Sequence, residues 1–309
     1  MESIEVENFA KSFGVNVDNL SDVTLKEINK HNFNYKRVTG DALEKLILQI
    51  LKKIESDNQV VAEKKRADVW ETGWNESLNQ YLQGEFDNDI VRPKFIRKDL
   101  PLRWNQSYII AEDPWFEMNF VEVMKTHIFQ HYFSDVDTIF EFGSGTGHNL
   151  VTADNVLNNV ELIGSDFAPS AVDLINEIGK KREGRLRAEL FNMMRPNKNL
   201  VIHKGAGIFI SGALEQLAGD IDPMFQYLME QEFKICVLIE PTTELYDENN
   251  LSDYLAKMFQ TQRGYTANLL QKLNTLAKTK KIKLEKVQRL KFGSMMMEGY
   301  NLFIWSKLT

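Results

Sequence analysis

Between residues 137 and 150 the chain passes from an apolar run to glycine at every second position: DTIFEFGSGTGHNL. A short apolar run bounded by glycine predicts a buried strand, then a tight turn, then the start of a helix. Gly143, Gly145 and Gly147 supply backbone freedom and leave room for a ligand against the main chain. The next apolar run, VELIGSD, ends on Asp166. A parallel α/β sheet follows, with a ligand at the carboxyl ends of its strands. Upstream, TLKEINKHN and GDALEKLILQILKKIESD carry apolar residues at helical spacing. In the second, Leu43, Leu46, Ile47, Ile50, Leu51 and Ile54 share one face, and Gly40 and Asp41 mark its start. The mixed charges opposite predict packing on a core. PWFEMNFVEVMKTHIFQHYF predicts a helix leading into the sheet.

Two acids frame the glycine turn. Glu141 stands two residues before Gly143, and Asp166 lies about 20 residues past the turn, where an acid accepts ribose hydroxyls. Dinucleotide sites place a third small residue where this chain has His148, too large for close helix–strand packing. A carboxylate at 141 repels pyrophosphate and favours a cation. An oxidoreductase using a dinucleotide is the competing reading that these two residues oppose.

The pattern resembles the E/D-x-G-x-G-x-G signature of class I S-adenosylmethionine-dependent methyltransferases, over about residues 135–309. The resemblance implies a three-layer αβα Rossmann-like methyltransferase sheet of seven strands, the last antiparallel, with a mainly helical amino-terminal extension. RLRAELFNMM, GAGIFISGALEQL and FKICVLIEP would be strands three to five, and KIKLEKVQRL and GYNLFIWSKL the closing pair. It also implies a cofactor, S-adenosylmethionine, with S-adenosylhomocysteine as product. Glu141, Gly143, Ser144, Gly145, Gly147 and His148 would form its loop. Asp166 would take the ribose, Phe167 and Met193 would flank the adenine, Asn192 would stand near its amino group, and Ser211 would complete the set.

Acceptor-side residues belong on the loops after strands four and five: Ser211, Glu215 and Gln216, then Glu240, Thr242, Thr243, Glu244 and Tyr246. Glu240, Glu215 and Tyr108 are the catalytic candidates. A base is needed only if the acceptor must lose a proton. Glu240 reads equally well as a strand-end acid bonded to backbone amides. No Asn-Pro-Pro-Tyr-like sequence follows strand four, which speaks against nucleic-acid amino groups as acceptor. A small molecule or biosynthetic precursor is the expected substrate. A protein methyltransferase and a non-catalytic cofactor-binding scaffold are the alternatives.

Residues 1–134 form the expected cap. Trp70, Trp74, Tyr81, Phe95, Trp104, Tyr108, Trp115 and Phe116 crowd residues 70–118 together with Pro93, Pro101 and Pro114. Large aromatics exclude water, so the segment is either a lid or an anchor for the amino-terminal region. The cluster Lys64, Lys65 and Arg66 reads as a solvated face. Residues 245–281 predict one or two helices interrupted at Gly264, shaping an acceptor pocket, an oligomer contact or a plain packing unit.

Composition changes the picture little. The 309 residues carry a net charge of −7 and are 43% hydrophobic. Residues 1–135 hold 17 Lys and Arg against 23 Asp and Glu, and the rest 20 against 21. Neither half announces a polyanion partner, so no nucleic acid is expected. The acidic start lacks a secretory pattern, and no apolar run approaches the ~18–20 residues of a membrane span. A cytoplasmic location is expected, and a homo-oligomer is open. The single Cys236, in FKICVLI, reads as core. His127 and His131 lie i, i+4 but lack a third ligand, so no metal is expected.

Overall fold

The computed structural model describes residues 1–59, 61, 64–84, 91–93, 96–182 and 184–308, with Lys64, Lys65 and Arg66 described by backbone alone. That basic cluster and Phe95 therefore lie outside the described side chains. The chain begins β1 (Glu2–Ser3), α1 (Val6–Phe13), α2 (Asp22–Asn29), β2 (Asn34–Arg37), α3 (Gly40–Ser56), α4 (Lys64–Leu82), β3 (Leu102–Trp104), β4 (Ser107–Ala111) and α5 (Phe116–Tyr132). It continues β5 (Thr138–Phe142), α6 (His148–Val156), β6 (Glu161–Asp166), α7 (Pro169–Lys180), β7 (Leu186–Leu190), β8 (Ala206–Ser211), α8 (Asp222–Glu230) and β9 (Ile235–Glu240). The last elements are α9 (Leu251–Arg263), α10 (Leu269–Lys278), β10 (Ile282–Gln288), β11 (Phe292–Ser294) and β12 (Asn301–Lys307).

The main sheet has seven strands in the order β10-β12-β9-β8-β5-β6-β7. The inner pairs are parallel, and β12 is antiparallel to both β9 and β10. Order reverses between β5 and β8, which opens a crevice at their carboxyl ends. Alternate residues face opposite layers, as the two-residue period of a strand requires. Ile139, Val237, Ile239 and Ile304 join one apolar cluster with α5, α6 and α7. Phe140, Cys236, Leu238 and Trp305 join another with α8 and α10. Both faces are covered, which is why the inner strands β5, β8 and β9 read as continuous apolar runs, while the edge strands β7 and β10 mix polar and apolar residues.

A second sheet, β1-β2-β4-β3-β11, is antiparallel and was not expected from the sequence. Its central hairpin turns at Asn105 and Gln106, with φ of 47° and 61°. Two successive left-handed residues make the tight turn that matches strand twist. The last strand, β11, comes from between β10 and β12 and pairs with β3. One apolar cluster accordingly runs from Ile4 to Ile304.

The join is also ionic. Asp253 on α9 accepts from Arg103 on β3 at 3.1 Å and from Arg289 at 2.6 Å, and Arg289 also pairs with Glu298 at 2.7 Å. Arg103 and Asp253 are fully buried, so each compensates the other's lost hydration. Beside them α3 packs Leu46 and Ile50 against Leu255, Phe259 and Met296. The segment 245–281 holds two helices, and Gly264 (φ 68°) ends the first. His127 stacks on Phe13 with centroids 4.9 Å apart. No described helix is long and apolar enough to cross a membrane.

Candidate functional site

The three glycines of the turn hold the cavity open for different reasons. Gly143 has φ 74°, and a Cβ there would stand 2.5 Å from Ala213 Cβ. At Gly147, φ 76°, it would stand 2.8 Å from Ile175 on α7, so the turn packs flush against that helix. Gly145 faces Trp74 of α4, whose ring a Cβ would approach to 3.1 Å.

Above the turn lies a cavity of about 310 Å³. Its floor is Gly143, Ser144, Gly145 and Thr146, with Asp166 and Phe167 after β6, Asn192 and Met193 after β7, and Ser211 and Gly212 after β8. Trp70 and Trp74, stacked at 5.3 Å, cover it from α4. Hydrogen bonds hold that cover to the sheet domain. Ser170 Oγ donates to the Glu71 carbonyl at 3.1 Å, Tyr81 Oη to the Glu177 carbonyl at 3.2 Å, and Thr146 Oγ1 to the Val91 carbonyl at 2.5 Å.

Asp166 Oδ2 accepts from the Gly145 amide at 2.9 Å and Oδ1 from the Ala168 amide at 3.0 Å. Burial raises its pKa against these amides. Each oxygen keeps a lone pair for a further donor. Glu141 is fully buried beneath the turn. Its Oε1 accepts from Asn149 Nδ2 at 2.5 Å, while Oε2 is buried without a partner. Burial pushes this carboxyl up to about 8.

The cavity's one buried amine among its described lining residues, Lys125 on α5, was not anticipated. Its Nζ lies 2.8 Å from His148 Nδ1, and His148 Nε2 lies 3.0 Å from Glu122 Oε1. A lysine ammonium only donates, so His148 accepts at Nδ1 and carries its proton on Nε2, toward Glu122. The chain fixes Lys125 at the cavity wall with two donors unspent. Burial lowers its pKa, and Glu122 and Glu141 oppose the shift. The sequence signal was weak: Lys125 is the only lysine of α5, but eight of the helix's seventeen residues are polar.

The acceptor-side candidates separate. Glu240 does not line the cavity. Its Oε1 takes the Ala213 and Leu214 amides at 2.9 Å each, and its Oε2 the Glu215 amide at 3.2 Å. It shapes the turn after β8, the strand-end role weighed against it. Glu215 accepts from Gln216 Nε2 at 2.7 Å; burial raises the Tyr300 and Tyr265 hydroxyls' pKa, and the Glu215 charge adds to both. Tyr108 is buried among Leu46, Leu255 and Met295, away from the cavity lining. Tyr300, which does line it, was missed. Glu141 and Gly147 support the loop from behind, and the other residues expected around a cofactor line the cavity.

Strand order, the antiparallel β12 and the glycine turn after β5 now stand together. The chain has the class I methyltransferase fold. No family model and no curated protein matches the chain. Among solved structures, it is similar to mitomycin 7-O-methyltransferase MmcR, at 13% identity over 64% of this chain and 59% of that one, with a TM-score of 0.45. It is also similar to an O-methyltransferase (NcsB1) from neocarzinostatin biosynthesis, solved with S-adenosyl-L-homocysteine, at 14% identity over 63% and 59% with a TM-score of 0.42. A third is geranyl diphosphate C-methyltransferase from Streptomyces coelicolor A3(2), at 10% identity over 64% and 87% with a TM-score of 0.44. The chain thus spans about 59% of the length of the first two.

Proposed function

We propose that this protein is an S-adenosylmethionine-dependent methyltransferase acting on a small molecule or biosynthetic precursor, with residues 1–134 as the cap over its site. The observation that carries the reading is the charge arrangement along one cavity. Lys125 offers two ammonium donors at one end, and Asn149, backed by the buried Glu141, leaves its Oδ1 free for a cation. Asp166 stands toward the other end, next to the apolar Phe167 and Met193.

Those groups suit an amino acid joined to a nucleoside. Lys125 would hold the carboxylate, and Asn149 with Glu141 the α-ammonium. Asp166 would accept the ribose hydroxyls, with Phe167 and Met193 against the base. A pyrophosphate would instead meet no phosphate-binding arginine in the described lining. The cofactor's sulfonium supplies a methyl group already activated for transfer.

The chain's own work is then alignment and exclusion of water. Proximity and orientation can supply ~7–11 kcal/mol of such a barrier. Trp70 and Trp74 keep solvent from the turn, and the covered cavity favours a small acceptor over a peptide laid across an open groove. Calorimetric titration with S-adenosylmethionine, S-adenosylhomocysteine and NAD tests the reading. Micromolar affinity for the first two and none for NAD is expected. Binding of NAD alone would refute it. Methyl turnover from labelled S-adenosylmethionine over a panel of phenols, carboxylic acids and amines then distinguishes an enzyme from a scaffold.

A further inference from the structure

The cavity runs along the sheet's carboxyl edge. It begins at β7 and β6, passes the turn after β5 and the loop after β8, and ends at Tyr300, which directly precedes β12. The nucleoside-suited residues occupy the β6–β7 end, so Tyr300 stands at the opposite, acceptor end. Its Oη donates to Glu117 Oε1 at 3.0 Å. Glu117 lies in the first turn of α5 and is 8% exposed. It also borders a second, smaller cavity of about 80 Å³ lined by Arg97, Asp99 and Asp113. A hydroxyl facing one cavity is thus joined by a hydrogen bond to a carboxylate facing another.

We propose that Tyr300 and Glu117 form a proton relay from the acceptor's nucleophile to the small cavity, so that the acceptor is a hydroxyl or amine compound that must lose a proton to be methylated. This rests on the methyltransferase reading above. With a hydroxyl acceptor, the oxygen forms a bond to the methyl carbon as the carbon–sulfur bond breaks, and its electron pair returns to sulfur as a neutral thioether. The acceptor proton moves to Tyr300 Oη while the tyrosine's own proton moves to Glu117 Oε1. Sulfonium and carboxylate, one positive and one negative, become two neutral groups, and charge balances. Glu117 then returns the proton to water through the small cavity.

The charged groups facing the pair are Glu215, which bears on Tyr300 from the turn after β8, and Arg97, Asp99 and Asp113 across the small cavity. Burial pushes the Glu117 carboxyl up to about 7, while the Tyr300 bond favours its ionised form. The relay is open when Glu117 is ionised, above that pH, and closed below it.

Sinefungin tests this without an acceptor. It carries an ammonium-bearing carbon in place of the sulfonium and its methyl, whereas S-adenosylhomocysteine has a bare thioether. Its ammonium would donate to Tyr300 Oη and feel the Glu117 charge. Wild-type protein should prefer sinefungin over S-adenosylhomocysteine by about tenfold at pH 8.5, with the preference lost at pH 5.5. Tyr300→Phe and Glu117→Gln should each abolish the preference at pH 8.5 and keep S-adenosylhomocysteine affinity within about twofold. If one variant fails to fold, the other decides. Equal preference in wild type and variants, or no preference in wild type at any pH, overturns the relay and leaves the cofactor reading standing. Failure of the wild type to bind either compound overturns both.

Discussion

Lys125→Met isolates the amino-acid end of the proposed cofactor site. Methionine keeps the stem's length and removes the ammonium. His148 loses the donor at Nδ1 but still donates through Nε2 to Glu122 at 3.0 Å, so the ring stays placed. What disappears is a fixed, buried cation with two donors facing the cavity. A charge-assisted hydrogen bond contributes about 1.5–3 kcal/mol, so the affinity for S-adenosylhomocysteine should fall roughly 10- to 150-fold. The same substitution should change the affinity for 5′-methylthioadenosine less than about twofold, because that compound carries the nucleoside and thioether without the amino acid. Isothermal titration of both ligands against both proteins measures the four constants. Equal weakening for the two ligands would mean that the cavity has collapsed, and unchanged affinity for S-adenosylhomocysteine would mean that Lys125 faces something else. Either result refutes the placement.

Three further outcomes follow from the same geometry. Asp166→Ala should weaken both ligands together, by about 1.5–3 kcal/mol, since it acts on the ribose they share; selective loss of one, read by the same titration, would contradict the assignment. Apo stability should fall as pH rises from about 5 to 8, because Glu117, Glu141 and Glu240 hold protons in the fold at pH values where the unfolded chain has released them, with folded pKa values of about 7, 8 and 7. Thermal melts at pH 5.5 and 8.5 check the sign, and Glu141→Gln should flatten the slope; a melting temperature that climbs across that range would contradict it. Asp253→Ala leaves Arg103 buried without its counter-ion and should cost about 3–5 kcal/mol of stability in urea unfolding, whereas a change below about 1 kcal/mol would mean that water replaces the carboxylate.

The seven-stranded half of this chain was legible because its signals are local. The five inner strands β5, β6, β8, β9 and β12 appear as apolar runs since both sheet faces are covered there, and Gly143, Gly145 and Gly147 mark the turn because no side chain fits there. Asp166 is readable from spacing alone. The antiparallel amino-terminal sheet was not, because its strands are two to five residues long and one of them, β11, is supplied from about 190 residues beyond its partner β3. The Asn105–Gln106 turn was the one local trace of it.

Site residues divide along the same line. Sequence determined the groups that belong to the turn and strand ends, whose positions follow from the chain's own path. Tertiary structure alone decided which distant groups meet them. It brought Lys125 to His148 across 23 residues and Tyr300 to Glu117 across 183, and it spent Glu240 on three backbone amides. A buried charge is stable only where a partner or a ligand compensates it, and partners set by packing between separate elements leave no periodic mark in the sequence.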